Sequence, residues 1–255
     1  MERVDNFEQR FGGIGRLYGI DSLARLRQAH ICVIGIGGVG SWVVEALARS
    51  AIGKITMIDM DDICVTNINR QLHALSGTVG KLKTEAMAER VKLINPECDV
   101  QIIDDFLAID NLAEYLDRGY DYVIDAIDNV RVKAALINFC KRRKIKVITI
   151  GGAGGQTDPT QIQITDMSKT VQDPLMSKVR SVLRKDYGFP QEQKRKFGVD
   201  CVFSTQQLIF PQAGEHCEVS ATMNCANGFG AATMITATFG FFAVSRVIDK
   251  LLKTK

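Results

Sequence analysis

Along residues 1–155, short apolar runs alternate with longer stretches whose apolar positions recur at helical spacing. After a predicted helix over 21–29, with Asp21 as its expected cap, HICVI reads as a buried strand. SWVVEALARSAIG has helical periodicity and a glycine stop, and KITMIDMD is the next strand. Residues 78–94 read as a helix ended by Asn95-Pro96, DVQIIDD as a strand and NLAEYLDRG as a short helix. DYVIDAID is a further strand, VRVKAALINFCKRRK a helix whose basic end suits its dipole, and KVITI a fifth strand. Continuous apolar strands separated by helices predict a parallel sheet covered on both faces.

Past residue 155 the rhythm changes. TQIQITDM alternates like a strand at Ile162 and Ile164, CVFSTQQLIF reads as a late strand, 211–220 as loop and 229–253 mostly as helix. Residues 173–199 are polar, basic and turn-rich. The expected fold class is therefore α/β and Rossmann-like: a doubly wound, mainly parallel sheet continued by late strands, with a basic helical and loop insertion and a C-terminal helix.

Composition narrows the class. Hydrophobic residues make up 46% of the 255 and charged residues 24%, the balance of a soluble chain with a core. The seven cysteines (32, 64, 98, 140, 201, 217 and 225) form no CxxC pair, which argues against a four-thiolate zinc site. Their odd number and a charged N-terminus without a secretory signal point to a reduced, cytoplasmic protein. The apolar run from Ala231 is broken by Arg246, so it reads as a buried helix, with a helix skimming a membrane surface as the alternative. Charge is lopsided: residues 1–127 carry net −6 and residues 128–255 net +9, which suits a polyanion over the second half.

The chemistry starts at GIGGVG, between strand ICVI and the following helix. Gly35 suits the tight turn, Gly37 and Gly38 let backbone N–H groups approach phosphates at the helix N-terminus, and Gly40 permits close packing. Asp59 ends the next strand, where a carboxylate can accept ribose hydroxyls. Asp61, Asp62, Asn67, Asn69, Arg70 and Gln71 follow, then Lys81 and Lys83 just before a helix. A dinucleotide site rarely needs an Arg and a Lys there. ATP undergoing adenylyl transfer needs cations against the charge developing on its phosphates. Asp128 and Asn129 close strand DYVIDAID at the end where open sheets bind ligands, and a carboxylate there suits Mg²⁺ held with a triphosphate.

These segments, GIGGVGSWVVEALARSAIGKITMIDMDDICVTNINRQ, VGKLKTEAMAERVKLINPE and YVIDAIDN, resemble the ubiquitin-activating-like (ThiF-type) superfamily of ATP-dependent adenylating enzymes. RFGGIGRLYG, GGAGGQTDPTQIQITD, QDPL and GVDCVFST narrow the resemblance to its tRNA-modifying branch, which acts on N6-threonylcarbamoyladenosine, and extend it over most of the chain. The resemblance implies one adenylating domain over 1–255, with a nucleotide-binding core at 21–155 and a substrate-binding and C-terminal part at 156–255. It implies that Gly35, Gly37, Gly38, Gly40, Asp59 and Asp61 bind the nucleotide. Asn67, Arg70 and Lys83 would meet phosphates, and Asp128 would lie near Mg²⁺. An arginine near the N-terminus, Arg10 or Arg16, would reach the γ-phosphate of a partner subunit in a homodimer.

The implied reaction is dehydration and cyclisation of N6-threonylcarbamoyladenosine at position 37 of tRNA through an acyl-adenylate. The alternative is adenylation of the C-terminal glycine of a ubiquitin-like sulfur carrier, and a cysteine desulfurase or sulfur-carrier partner belongs to the same picture. A monovalent-cation site is not fixed by the sequence. Basic residues offered to tRNA are Lys178, Arg180, Arg184, Lys185, Lys194, Arg195 and Lys196, with Lys141–Lys144 adding KRRK. Tyr187 and Phe189 are candidates for stacking on bases, His73 for substrate contact, and His30 reads as structural. A catalytic role for Cys201, Cys217 or Cys225 is disfavoured. His216 adjoins Cys217, but neighbours in sequence need not face each other.

Overall fold

The computed structural model describes residues 6–192, 195–210 and 229–253. Lys194, His216, Cys217 and Cys225 lie outside the described residues. The strands are β1 (His30–Ile34), β2 (Lys54–Ile58), β3 (Asp99–Ile103), β4 (Tyr122–Asp125), β5 (Val147–Ile150), β6 (Ile162–Asp166) and β7 (Asp200–Ser204). They form one sheet in the order β3-β2-β1-β4-β5-β7-β6. Every neighbouring pair is parallel except β6 with β7 at the edge. The late strands thus continue the first sheet. Ile31 of β1 sits opposite Ile55 of β2 and Tyr122 of β4.

The helices are α1 (Phe7–Tyr18), α2 (Ile20–Gln28), α3 (Gly40–Arg49), α4 (Lys83–Ile94), α5 (Leu112–Leu116), α6 (Val130–Arg143), α7 (Pro174–Asp186) and α8 (Thr233–Lys253). On one face Val43, Met87 and Phe239, from α3, α4 and α8, pack with Val33, Ile55 and Ile124. On the other Leu112, Ile137 and Val179, from α5, α6 and α7, pack with Ile34, Val123 and Phe203. Burial on both faces is why β1, β2 and β4 read as unbroken apolar runs.

Four helices differ from expectation, and β7 stops at Ser204 where the sequence pattern extends the late strand to Phe210. α1 was masked in the sequence by Gly12, Gly13 and Gly15, poor helix formers. It is held by Phe7 and Phe11 packing with Leu23 and Ala51. α2 starts one residue early, behind Gly19, and Asp21 lies in its first turn without capping it. α4 begins at Lys83, because Gly80 and Lys81 bond back to Ile63 and Leu82 bridges to Asp62, which holds 78–82 out of the helix. The basic stretch 173–199 contains α7, whose Leu175, Met176, Val179 and Leu183 are core residues, so it covers the sheet instead of standing off it.

α8 buries Ile235, Phe239, Ala243 and Val247 and lies close along α3. A Cβ at Gly240 would come within 3.1 Å of the Val39 carbonyl and the Val43 nitrogen, so glycine sets this approach. Among the described residues no helix is long and apolar enough to cross a membrane.

Candidate active site

Strand order reverses between β1 and β4, and the crevice at such a switch point is where open sheets place ligands. A cleft of about 1370 Å³ opens there. Its walls include Gly35, Gly37, Gly38, Asp59, Asp61, Asn67, Arg70, Lys83 and Asp128. Segments spread over 90 residues of sequence therefore meet in one place, because each follows the carboxyl end of a parallel strand or faces it.

The glycine turn is fixed on both sides. Gly35 has φ +83°, open to glycine without strain, and a Cβ at Gly40 would overlap the Gly35 carbonyl oxygen. Asp59 Oδ2 accepts the Ile36 N–H at 2.6 Å, and Oδ1 accepts the Asp61 N–H at 2.9 Å. Each oxygen keeps a further lone pair, and Asp59 lines the cleft. The Ile36 carbonyl accepts from His73 Nε2 at 2.8 Å.

This corrects the expectation for His73. It is 3% exposed and does not line the cleft; it braces the turn from behind. Burial lowers its pKa below the ordinary 6.5. The folded state then resists protonation, so its contribution to stability is intact above about pH 6.5 and is lost as pH falls below it. Replacing His73 by alanine is expected to lower stability by about 1 kcal/mol, the loss of one buried hydrogen bond to the turn, read by thermal melting.

The loop after β2 is pinned by α8. Thr233 Oγ1 donates to the Asn69 carbonyl at 2.6 Å, and Asn69 Nδ2 donates to the Ala231 carbonyl at 2.9 Å. The Arg70 carbonyl accepts from Trp42 Nε1 at 3.1 Å and Thr236 Oγ1 at 3.3 Å. Arg70 itself spans to Thr66 O and Asn69 Oδ1, both at 2.9 Å, with its side chain over Gly38. Asn67 Oδ1 accepts the Cys64 N–H at 3.0 Å.

Lys83 is 6% exposed and its Nζ meets Asp61 Oδ2 at 2.5 Å. A cation at a helix N-terminus opposes the macrodipole, and Asp61 offsets this. Asp61 thus enters the cleft as the partner of Lys83.

Asp128 is exposed on the β4 side of the cleft. Beneath its loop lies a fully buried pair, Lys133 Nζ with Asp125 Oδ1 at 3.0 Å. Lys133 also donates to Ile127 O at 2.8 Å, and Thr149 Oγ1 donates to Asp125 Oδ2 at 2.7 Å. Sequence reasoning missed this pair. The signal was there: spacing 133, 137, 140 puts Lys133 on the same helical stripe as Ile137 and Cys140. Gln156 and Asp173, also in the cleft, were missed as well.

Other candidates stand apart. Arg10 donates to Asn6 Oδ1 at 2.7 Å and to the Ile94 carbonyl at 3.2 Å, capping α4. Arg16 is exposed near the end of α1. Neither lines the cleft of its own chain. Lys178, Lys185, Arg195 and Lys196 are exposed. Arg180 is partly buried against Thr170, and Arg184 bonds the Pro190 carbonyl and lies over the Phe197 ring, so both are engaged within the protein. Tyr187 and Phe189 pack against the core, Phe189 edge-on to Phe197, because apolar ring area gains more from burial there than from exposure. Both are partly buried, so only part of each ring is open to stacking on bases. Burial raises the pKa of the Cys32, Cys98, Cys140 and Cys201 thiols, the opposite of what a nucleophile needs.

The same arrangement has known counterparts. The ThiF family model matches residues 13–255. A tRNA threonylcarbamoyladenosine dehydratase of Haemophilus influenzae is 80% identical over 255 residues, covering 100% of this chain and 98% of that protein. The protein of the same name from Escherichia coli is 60% identical over 255 residues, with 97% and 95% covered. The crystal structure of Escherichia coli tRNA N6-threonylcarbamoyladenosine dehydratase in complex with ATP aligns with TM-score 0.89 at 57% identity, covering 98% of this chain and 97% of that one. With a family match from residue 13 to the last residue and relatives this similar along their whole length, the chain belongs to the ThiF family.

Proposed function

We propose that the protein is an ATP-dependent tRNA-modifying enzyme that dehydrates and cyclises N6-threonylcarbamoyladenosine at position 37 of tRNA. One observation carries the reading: the glycine turn, Asp59, Asn67, Arg70, Lys83 and Asp128 converge on one cleft, the equipment for adenylyl transfer. The similarity to named dehydratases, one solved with ATP, supplies the substrate class.

The chemistry follows from the residues. The α3 N-terminus and the glycine turn receive phosphate oxygens, and the free lone pairs of Asp59 receive ribose hydroxyls. The threonyl carboxylate attacks the α-phosphorus of ATP and pyrophosphate leaves. Arg70, and Lys83 on exchanging Asp61 for phosphate, stabilise the charge that builds there. The carbamoyl group of the same side chain then attacks the acyl carbon, AMP leaves, and a ring closes with net loss of water from the nucleoside. Attack within one side chain gains from proximity, and no enzyme nucleophile is needed.

Among the described residues no three His, Cys, Asp or Glu side chains form a metal cluster. A single exposed carboxylate suits Mg²⁺ that takes its other ligands from phosphates and water, so Asp128 would hold it. The ion would neutralise charge on the departing pyrophosphate. Arg10 is committed to α4, which leaves Arg16 to reach the nucleotide of a second copy in a homodimer. Lys178, Lys185, Arg195 and Lys196 offer the phosphate-binding face for tRNA.

Incubation with ATP, Mg²⁺ and tRNA carrying the modification is expected to release AMP and to lower the nucleoside mass by one water. Nucleoside mass spectrometry checks this. AMP formation that needs a diglycine-tailed protein and ignores tRNA would instead support the sulfur-carrier reading.

A further inference from the structure

The cleft is longer than a nucleotide needs. Beyond Asp128 it continues over the end of β5 and the start of α7, past Gly151, Gly152, Gln156 and Asp173. Chemistry divides its two ends. The glycine-turn end holds the cations, Arg70 and the Asp61-paired Lys83. The β5 end presents acceptors.

Asp173 is buried there, with Oδ1 accepting the Met176 N–H at 2.9 Å and Oδ2 the Gly152 N–H at 3.0 Å. A Cβ at Gly151 would overlap Asp173 Oδ2, so glycine is required for this contact. Gln156 is 4% exposed, and its Nε2 donates to the Gly152 carbonyl at 2.8 Å. That bond sets the amide's orientation, since a carbonyl can only accept. Gln156 Oε1 is left buried with no hydrogen-bond partner among the described residues. An unpaired buried acceptor is costly, and the simplest account of one on a residue that lines a ligand cleft is a ligand donor.

ATP does not supply that donor. Its triphosphate only accepts, and its donors, the ribose hydroxyls and the adenine amino group, are on the nucleoside end. Its ribose belongs at Asp59, after β2, and β2 and β5 lie on opposite sides of β1 in the sheet. The donor therefore comes from the second substrate. A threonylcarbamoyl side chain has a carboxylate, which Asp173 repels and Arg70, without a carboxylate partner among the described residues, attracts, and a ureido group. The ureido N–H on the threonyl side can close a six-membered hydrogen-bonded ring onto the adenine N1, which leaves N6–H as the free donor.

We propose that Gln156 Oε1, beside Asp173, forms a subsite that accepts the N6–H of the ureido group and so points the carboxylate toward the glycine turn. This rests on the dehydratase reading above.

The test uses the full-length protein and an anticodon stem-loop carrying N6-threonylcarbamoyladenosine, with and without a methyl group on N6. Gln156→Leu is expected to raise KM for the unmethylated stem-loop about tenfold, while ATP affinity measured without RNA stays within about twofold. Methylation of N6 should cost the wild type about the same factor and cost Gln156→Leu nothing further, since both changes remove one bond. Unchanged KM in the variant, independent losses from the two changes, or a wild type indifferent to the methyl group overturns the subsite while leaving the dehydratase reading intact. The wild-type measurement does not depend on how the variant folds. If the wild type releases no AMP on the unmethylated stem-loop or on whole modified tRNA, the dehydratase reading fails and the subsite with it.

Discussion

Lys133→Met is expected to lower the stability of the protein by about 3–5 kcal/mol, the largest effect of any single replacement considered for this fold. Lys133 and Asp125 are both fully buried, 3.0 Å apart, and Lys133 also holds the Ile127 carbonyl. Removing the lysine leaves a carboxylate in the core with only Thr149 and the Ile127 N–H as partners. Burial raises the pKa of Asp125, and without the lysine nothing cationic opposes that rise. A group with a raised folded pKa is tolerated when protonated and destabilises as pH rises through that value. The deficit should thus be smaller at pH 5 than at pH 8. Thermal melting at both values checks the sign, with a fall of roughly 10 °C at the higher pH. Asp125→Asn combined with Lys133→Met should recover much of the loss, because the stranded charge is then gone. A double variant as unstable as Lys133→Met alone would contradict this account.

Arg70→Ala is expected to leave the fold intact and lower kcat for AMP formation about 10²–10³-fold. The guanidinium bonds only Thr66 and Asn69 within its own loop, whereas the loop is held through the Arg70 carbonyl by Trp42 and Thr236. Those backbone bonds survive the substitution. What is lost is a planar cation over the glycine turn, where the α-phosphorus would react. Arg70→Lys should recover only part of the rate, since an ammonium group cannot offer two parallel N–H donors. Single-turnover AMP release, with tRNA affinity measured alongside, separates the chemical loss from any loss of binding. A tRNA affinity that falls as steeply as kcat would count against the assignment.

The contrast between these two residues shows what the sequence could carry. Arg70 was legible because its surroundings are local: a glycine turn after one strand and a polar loop after the next, with the parallel sheet bringing their ends together. Gly40, Asp59, Asn67, Lys83 and Asp128 were legible for the same reason. Lys133 sits on an apolar stripe, an anomaly that becomes meaningful only when Asp125 is seen to turn inward. His73 braces Ile36 from 37 residues away, and nothing in the intervening chain announces that contact. In α7 the frequent Lys and Arg concealed the stripe formed by Leu175, Met176, Val179 and Leu183. Arg180 and Arg184, counted by charge alone, turned out to hold their own helix in place. Charge in a sequence reports what a residue can attract; packing decides what it does attract.

The anchoring of the Asn69–Arg70 loop by the opening turn of α8 has a consequence for biosynthesis. Two of the donors that fasten this loop, Thr233 and Thr236, are made more than 160 positions later than the loop itself. A ribosome-bound chain that has already folded its glycine turn still lacks them. The loop that carries Arg70 therefore gains these bonds only after the helix encoded last among the described segments has docked.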